Sequence, residues 1–372
     1  MCLYPQRRRN KKYLATKKNQ GNIPSYPIIG QDEYNCDIID ERVAYVEYEC
    51  GQCIECREKK ARQWQVRMAE EVKNDIHKYF LTLTFSPEGL QEIYKILPDG
   101  RKMDNVAAKL AMRRCLERFR KRHGHSLRHW YVTELGHEGT ERIHMHGILF
   151  TDEELKFEVL EEQKDGYWVN WDLWKYGKCF LGKYVSERTV NYLVKYIIKV
   201  DEVHPDYKAI VLCSPGIGRN FTETRTFKEL YKYKPKDVKN WYRLPNGAKT
   251  ILPKYYKNKA YNEDERELIW RESMDEDRSF IFGNKYENRD VPNETMGNIL
   301  RKAKEINKSL GYGDDKLAAR MKDYNITYKQ LISQKRLARL NYLARKYNID
   351  PDSPRGQRLQ ENVKKCLKNL ED

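Results

Sequence analysis

Two short runs constrain this chain more than any other feature: "RHWYVTELG" over 128–136 and "RIHMHGILF" over 142–150. Both are strand-like, and the Gly- and Glu-containing "HEGTE" between them predicts an antiparallel hairpin with a slightly long loop. In a strand, residues i and i+2 point to the same face, so His144 and His146 present two imidazoles side by side. Two imidazoles can grip one metal ion, and a usable divalent site needs a third donor. Glu134 on the partner strand, sharing its face with Trp130 and Val132, supplies one; His137 in the turn is the other candidate. Core histidines in an ordinary buried strand are the competing reading.

A second constellation is "SERTVNYLVKYIIKV" over 186–200. Val190, Leu193, Val194, Ile197 and Ile198 mark one helical face at i, i+3, i+4, i+7 and i+8. Tyr192, Lys195, Tyr196 and Lys199 lie on the other, with the tyrosines one above the other and a lysine three residues after each. An amphipathic helix with a polar outer face fits as well. Beside the histidines, the combination suits phosphodiester chemistry through tyrosine: a phenol titrates near 10 and is a poor nucleophile until its proton is removed or its anion stabilised. Lys195 and Lys199 would favour the phenolate, and a metal on the phosphate would offset charge in the transition state.

Earlier in the chain, "YFLTLTFS" (79–86) alternates as a strand. Asp104 can cap a helix running to Gly124 with Met112, Cys115, Leu116 and Phe119 as its apolar stripe, and with Arg113 and Arg114 on its other, basic side. Before it, "CGQCIECREKKARQWQVRMAEEV" places Ala61, Trp64, Met68 and Val72 on one helical face. Cys50, Cys53 and Cys56 stand at its start. Three thiolates at these spacings can coordinate zinc, with Cys36, or else Cys2, as the fourth ligand; buried free thiols and an iron–sulfur cluster are the alternatives. "SPGIGRN" (214–220) offers two glycines and Arg219, which could cradle a phosphate, though a plain turn reads equally from the residues.

Residues 5–30 are polar and basic and read as an arm. From about 220 onward, Lys, Glu, Tyr and Asn dominate, with short helical patterns such as "LAARMKDYNITYKQLISQKRLARLNYLARKY" and little core of their own. The expected domains are an N-terminal basic arm and extended segment (1–49), a core carrying the histidine and tyrosine motifs (50–222) and a helical accessory region (223–372).

Lys and Arg number 71 against 55 Asp and Glu, a net charge of +16, with 27 Tyr and 7 Trp. Basic plus aromatic is the footprint of a protein that neutralises phosphates and stacks on exposed bases. No run approaches the roughly 20 apolar residues of a membrane span, and the basic start lacks the apolar region of a signal peptide. The nine cysteines then suit a reducing compartment, free or metal-bound.

"RIHMHGILF", followed about 45 residues later by "YLVKYIIK", resembles the HUH endonucleases, in particular the replication initiators of microvirus-type, gokushovirus-like phages. The opening "MCLYP", the "CGQCIECR" segment, "YFLTLTFS", "LWKYGKC" and "SPGIGRNF" resemble that group in the same order over residues 1 to about 222. The resemblance implies an α+β fold: an HUH/Rep-like core with a central antiparallel sheet flanked by helices, plus a mostly helical C-terminal region. It implies that Tyr192 or Tyr196 cuts single-stranded DNA at the viral origin in rolling-circle replication, with Mg²⁺ or Mn²⁺ on His144, His146 and Glu134. A host helicase and polymerase would be partners, in the host bacterial cytoplasm. An HUH transposase or plasmid relaxase, and a non-catalytic nucleic-acid-binding protein, are the alternatives.

Overall fold

The computed structural model describes every residue except 18, 98–103, 137–139, 205–206, 236, 315–332, 334–335, 338 and 372. The chain forms two compact units, each built from separated stretches. The first gathers Met1–Asn74, Val190–Tyr207 and Gly216–Asp315; the second gathers Asp75–Thr189, Lys208–Pro215 and the described residues of 316–372.

In the first unit, β1 (Gln6–Arg9), β2 (Ile28–Gln31), β3 (Asp37–Ile39) and β4 (Tyr45–Tyr48) make two small antiparallel ladders, β1 with β4 and β2 with β3. Segment 1–49, expected as an arm, is thus partly built in, and it buries Leu3, Tyr13 and Val43. Helix α1 (Ile54–Val72) follows. Ala61 and Met68 are buried as their spacing predicts, but so are Val66, Ala69, Glu70 and Glu71. The helix is therefore covered on more than one side, and Trp64 instead lies half-buried beneath the Arg67 guanidinium, 4.3 Å from its ring centroid.

The second unit is organised on a seven-stranded sheet. In chain order its strands are β5 (His77–Leu83), β6 (Arg128–Leu135), β7 (Ile143–Thr151), β8 (Glu158–Gln163), β9 (Gly166–Asn170), β10 (Cys179–Gly182) and β11 (Val211–Cys213). In space the order is β11-β6-β7-β5-β10-β9-β8, with every neighbouring pair antiparallel. The predicted hairpin is β6–β7 at the centre, and Trp130, Tyr131, Val132, Met145 and Ile148 in it are fully buried. Burying each such side chain contributes about 1.5–3 kcal/mol, which makes the hairpin the best-held part of the sheet. Gly147 is required there. A Cβ on it would meet the Trp130 carbonyl oxygen at 2.2 Å and the Tyr131 ring at 2.4 Å.

Helix α2 (Pro87–Tyr94) and helix α3 (Asp104–His123) belong to this unit. Met112, Cys115 and Phe119 are buried as expected, and Asp104 at the start of α3 accepts the Tyr94 hydroxyl at 2.6 Å. Asn105 of α3 accepts the Thr133 hydroxyl at 2.8 Å. Thr133 and Tyr131 alternate with Val132 and Glu134, so α3 packs on the sheet face opposite Glu134, His144 and His146.

The chain returns to the first unit within α4 (Glu187–Ile198), whose Val190, Leu193, Val194 and Ile197 are buried. Next come α5 (Arg225–Leu230), the hairpin of β12 (Trp241–Arg243) and β13 (Lys249–Ile251), α6 (Lys254–Ala260), α7 (Glu263–Asp275), the hairpin of β14 (Arg278–Ile281) and β15 (Asn284–Glu287), and α8 (Asn293–Ser309). This region, expected to be helical with little core, holds two hairpins and a tyrosine-rich core of its own. Phe227, Tyr231, Tyr242, Tyr256 and Tyr261 are buried around Val66 of α1. Tyrosine hid this core from a hydrophobicity reading, because its hydroxyls need partners: Tyr242 donates to Glu70, and Tyr256 to the Gly218 carbonyl at 2.9 Å. The helical pattern at 317–347 falls largely on residues outside those described. No described helix is long and apolar enough to cross a membrane.

Candidate metal centre and tyrosine pair

In the β6–β7 ladder Glu134 stands directly opposite His144, and Val132 opposite His146. The three candidate ligands therefore share one sheet face. His144 Nε2 and His146 Nε2 both approach the same oxygen, Glu134 Oε2, at 3.1 and 3.0 Å. His146 is buried, while His144 and Glu134 keep 20 and 15% of their side-chain surface exposed, so the group is held from below and reachable from one side.

The outer nitrogens of both rings are engaged. Thr82 on β5, the cross-strand partner of His146, places its hydroxyl 2.9 Å from His146 Nδ1. The Arg142 carbonyl lies 3.3 Å from His144 Nδ1. A carbonyl only accepts, so a proton on His144 Nδ1 has its partner there, and Nε2 faces the carboxylate. Two imidazoles and one carboxylate fit a divalent cation with positions left open, and this mixed set suits Mn²⁺ better than the oxygen-seeking Mg²⁺. Thr82 was not singled out in the sequence; its role depends on the β5–β7 register. His137 lies outside the described residues.

The tyrosines occupy the exposed side of α4 as the spacing predicts. Their rings meet edge to face with centroids 5.3 Å apart, and the two hydroxyls are hydrogen-bonded to each other. Lys199 sets its ammonium 5.9 Å from the Tyr196 ring centroid, and Lys195 is exposed on the same helix. Two contacts from α1 hold α4: Gln65 donates to the Asn191 side chain at 2.8 Å, and Arg57 donates to the Lys199 carbonyl at 3.2 Å. Arg57 is 4% exposed and acts where the last carbonyls of a helix lack partners. It too went unnoticed in the sequence, where it reads as one of many basic residues.

The remaining candidates divide. Arg113 and Arg114 lie on the outer side of α3, pairing with Glu117 at 3.1 Å and Glu92 at 3.5 Å. Arg219 is exposed and pairs with Glu223 at 3.3 Å. The turn beside it does not offer its amides freely, because the Gly218 N–H is donated to the buried Glu71 carboxylate. Arg67 further ties Ile217 to α1 at 3.0 Å, so the turn is a docking element of the first unit.

Among the cysteines, the expected fourth partner is corrected. Cys50, Cys53 and Cys56 are joined by Cys2, all four sulfurs lying within 4.8 Å of one another. Cys36 is exposed in the β2–β3 turn, where the Asp32 carboxylate accepts its backbone N–H at 2.8 Å. The β1–β4 register decides this: Gln6 pairs with Tyr48, so the chain before β1 runs back alongside residue 50.

With this geometry in view, comparison with known proteins is informative. Residues 78–201 match the family of the replication-associated protein ORF2, a stretch holding Glu134, His144, His146, Tyr192 and Tyr196. The chain is 26% identical over 248 residues to replication-associated protein VP4 of Bdellovibrio phage phiMH2K, covering 62% of this chain and 72% of that protein. It is 29% identical over 201 residues to replication-associated protein ORF2 of Spiroplasma virus 4, covering 48% of this chain and 59% of that one. No solved structure matches. The resemblance to phage replication initiators read from the motifs is thus matched independently over the segment that carries both constellations.

Proposed function

We propose that this protein initiates rolling-circle replication of a circular single-stranded DNA phage genome, as a metal-dependent HUH-type endonuclease and strand transferase. The observation that carries the reading is the meeting of Glu134 Oε2, His144 Nε2 and His146 Nε2 at one point of the central sheet, within the same matched segment as a hydrogen-bonded tyrosine pair. A net charge of +16 supports a polyanionic substrate.

In this reading Tyr192 or Tyr196 gives up its phenol proton and its oxygen attacks phosphorus at the origin. The bond from phosphorus to the 3′ oxygen breaks, the 3′ oxygen takes a proton, and the 5′ phosphate stays on tyrosine. The free 3′ hydroxyl primes synthesis by a host polymerase, with a host helicase opening the duplex, in the bacterial cytoplasm. The second tyrosine cuts the regenerated origin, and the 3′ hydroxyl so released displaces the first tyrosine to close the circle. The hydroxyl bond between Tyr192 and Tyr196 lets one phenol donate to the other as it loses its proton. Lys199 at the Tyr196 ring adds a positive charge near the phenol, and Arg113 and Arg114 serve DNA backbone binding. Glu134, His144 and His146 would hold Mg²⁺ or Mn²⁺, whose chemistry is to polarise the scissile phosphate.

The test is a labelled origin oligonucleotide incubated with the protein and Mn²⁺, followed by denaturing electrophoresis. A covalent protein–DNA adduct is expected, absent from the Tyr192→Phe, Tyr196→Phe double variant. An adduct that survives in the double variant would overturn the assignment, and retained affinity with no adduct would make this a binding protein.

A further inference from the structure

The four thiols at the head of α1 converge, with all four sulfurs within 4.8 Å of one another. Cys50 Sγ and Cys56 Sγ are 3.9 Å apart, near the edge of about 3.8 Å that a tetrahedral zinc tetrathiolate has with bonds of about 2.3 Å. That is far outside the ~2.05 Å of a disulfide, and none is formed by these four cysteines. The backbone is wrapped for sulfur ligation. Gln52 N–H and Cys53 N–H both donate to Cys50 Sγ at 3.4 Å, Cys50 N–H donates to Cys2 Sγ at 3.2 Å, and Gly51 takes the left-handed conformation, φ +71°, that lets the loop turn. The shell around the sulfurs is apolar, with Leu3, Ile281 and Ala303 buried beside them. Four converging sulfurs in that shell supply a complete ligand set for one metal ion, with no position left open.

The site also sits at a junction. Cys53 and Cys56 bracket the first residues of α1, the Ile54 N–H there is capped by the buried Asn307 of α8 at 2.9 Å, and Arg57 is the next residue after Cys56. Arg57 lies 5.3 Å from the Tyr312 ring centroid and donates to the end of the tyrosine helix.

We propose that Cys2, Cys50, Cys53 and Cys56 bind one Zn²⁺ as a structural tetrathiolate centre, and that by fixing the first turn of α1 this centre positions the tyrosine helix through Arg57. Zn²⁺ displaces the remaining thiol protons on binding, with no change of oxidation state. The positioning half gains its meaning from the proposed role of the tyrosines, but the zinc half stands without it.

Metal analysis of the purified full chain should return one zinc per chain, retained in Cys36→Ala and lost in Cys2→Ala. Should Cys2→Ala fail to fold, alkylation of the wild type read by peptide mass spectrometry gives the same answer: Cys2 protected until zinc is chelated, Cys36 labelled throughout. Folded protein free of zinc, iron in its place, zinc lost with Cys36, or Cys2 labelled as fast as Cys36 each overturns the site. Positioning is read by amide exchange in residues 190–199. Exchange should rise on zinc removal and in Arg57→Ala with zinc retained, and be restored in Arg57→Lys; unchanged exchange overturns it. Neither readout depends on DNA cleavage, so a failure here is distinguishable from a failure to form the adduct.

Discussion

Among the described residues the protein carries two clusters of metal-competent side chains, and they differ in donor type, donor count and exposure. Glu134, His144 and His146 bring three nitrogen and oxygen donors from adjacent strands, with part of Glu134 and His144 left exposed. Cys2, Cys50, Cys53 and Cys56 bring four sulfurs, three of them from buried residues, into an apolar shell. Three donors with an open side suit a metal that must also touch substrate; four donors with none suit a metal that holds the fold. Burial and donor count thus separate the two clusters, in line with the reactive role proposed for one and the structural role proposed for the other.

The largest effect that would sharpen this contrast is expected from Cys53→Ser. Structural zinc contributes on the order of 10 kcal/mol of binding free energy, comparable with the whole stability of a domain. The variant should lose zinc and unfold at a clearly lower temperature, measured by calorimetry beside metal analysis. A variant with unchanged melting would dissolve the contrast. Next, His144→Ala or His146→Ala should lower Mn²⁺-dependent adduct formation about a thousandfold, since a catalytic metal supplies several kcal/mol of transition-state stabilisation. Zinc content should not move; if zinc falls as well, the two clusters are not independent.

Thr82→Val keeps shape but removes the hydroxyl at His146 Nδ1, and support of this kind typically changes metal affinity or activity about 10–100-fold. A Mn²⁺ titration of adduct yield should shift to higher concentration, with zinc retained. The smallest effect concerns pH. Burial holds His129 below its ordinary value of 6.5, and the Ser214 hydroxyl lies 2.9 Å from its Nδ1. The unfolded chain therefore takes up a proton below about pH 6.5 that the folded protein refuses, so this contribution is present above that pH and is lost as pH falls toward the lowered folded value. Denaturant melts of wild type and His129→Gln should converge as the pH falls from 7 to 5; parallel curves would remove His129 from the balance.

What was legible in the sequence follows from how local each feature is. Glu134 and His144 were readable together because one hairpin loop sets their register, and the tyrosine face of α4 because helical spacing alone places it. Cys2 was less readable, since its approach to Cys50 depends on "QRRR" pairing with "YVEY", two segments without a clear apolar alternation. Thr82 and Arg57 were hidden for a related reason: each acts on a residue far away in sequence, through a ladder register in one case and a helix contact in the other. The C-terminal core was missed because its buried surface is tyrosine, whose hydroxyl makes it look polar until its partners are found.

The position of β7 has a further consequence. It lies between β5 and β6, paired along its length to both, so moving His144 and His146 by one residue would break two ladders at once and turn both rings to the opposite face. A substitution that shifts this strand should therefore register first as a loss of folding. Exposed segments such as the outer side of α3 carry no such penalty, so substitutions there leave the placement of the two rings unchanged.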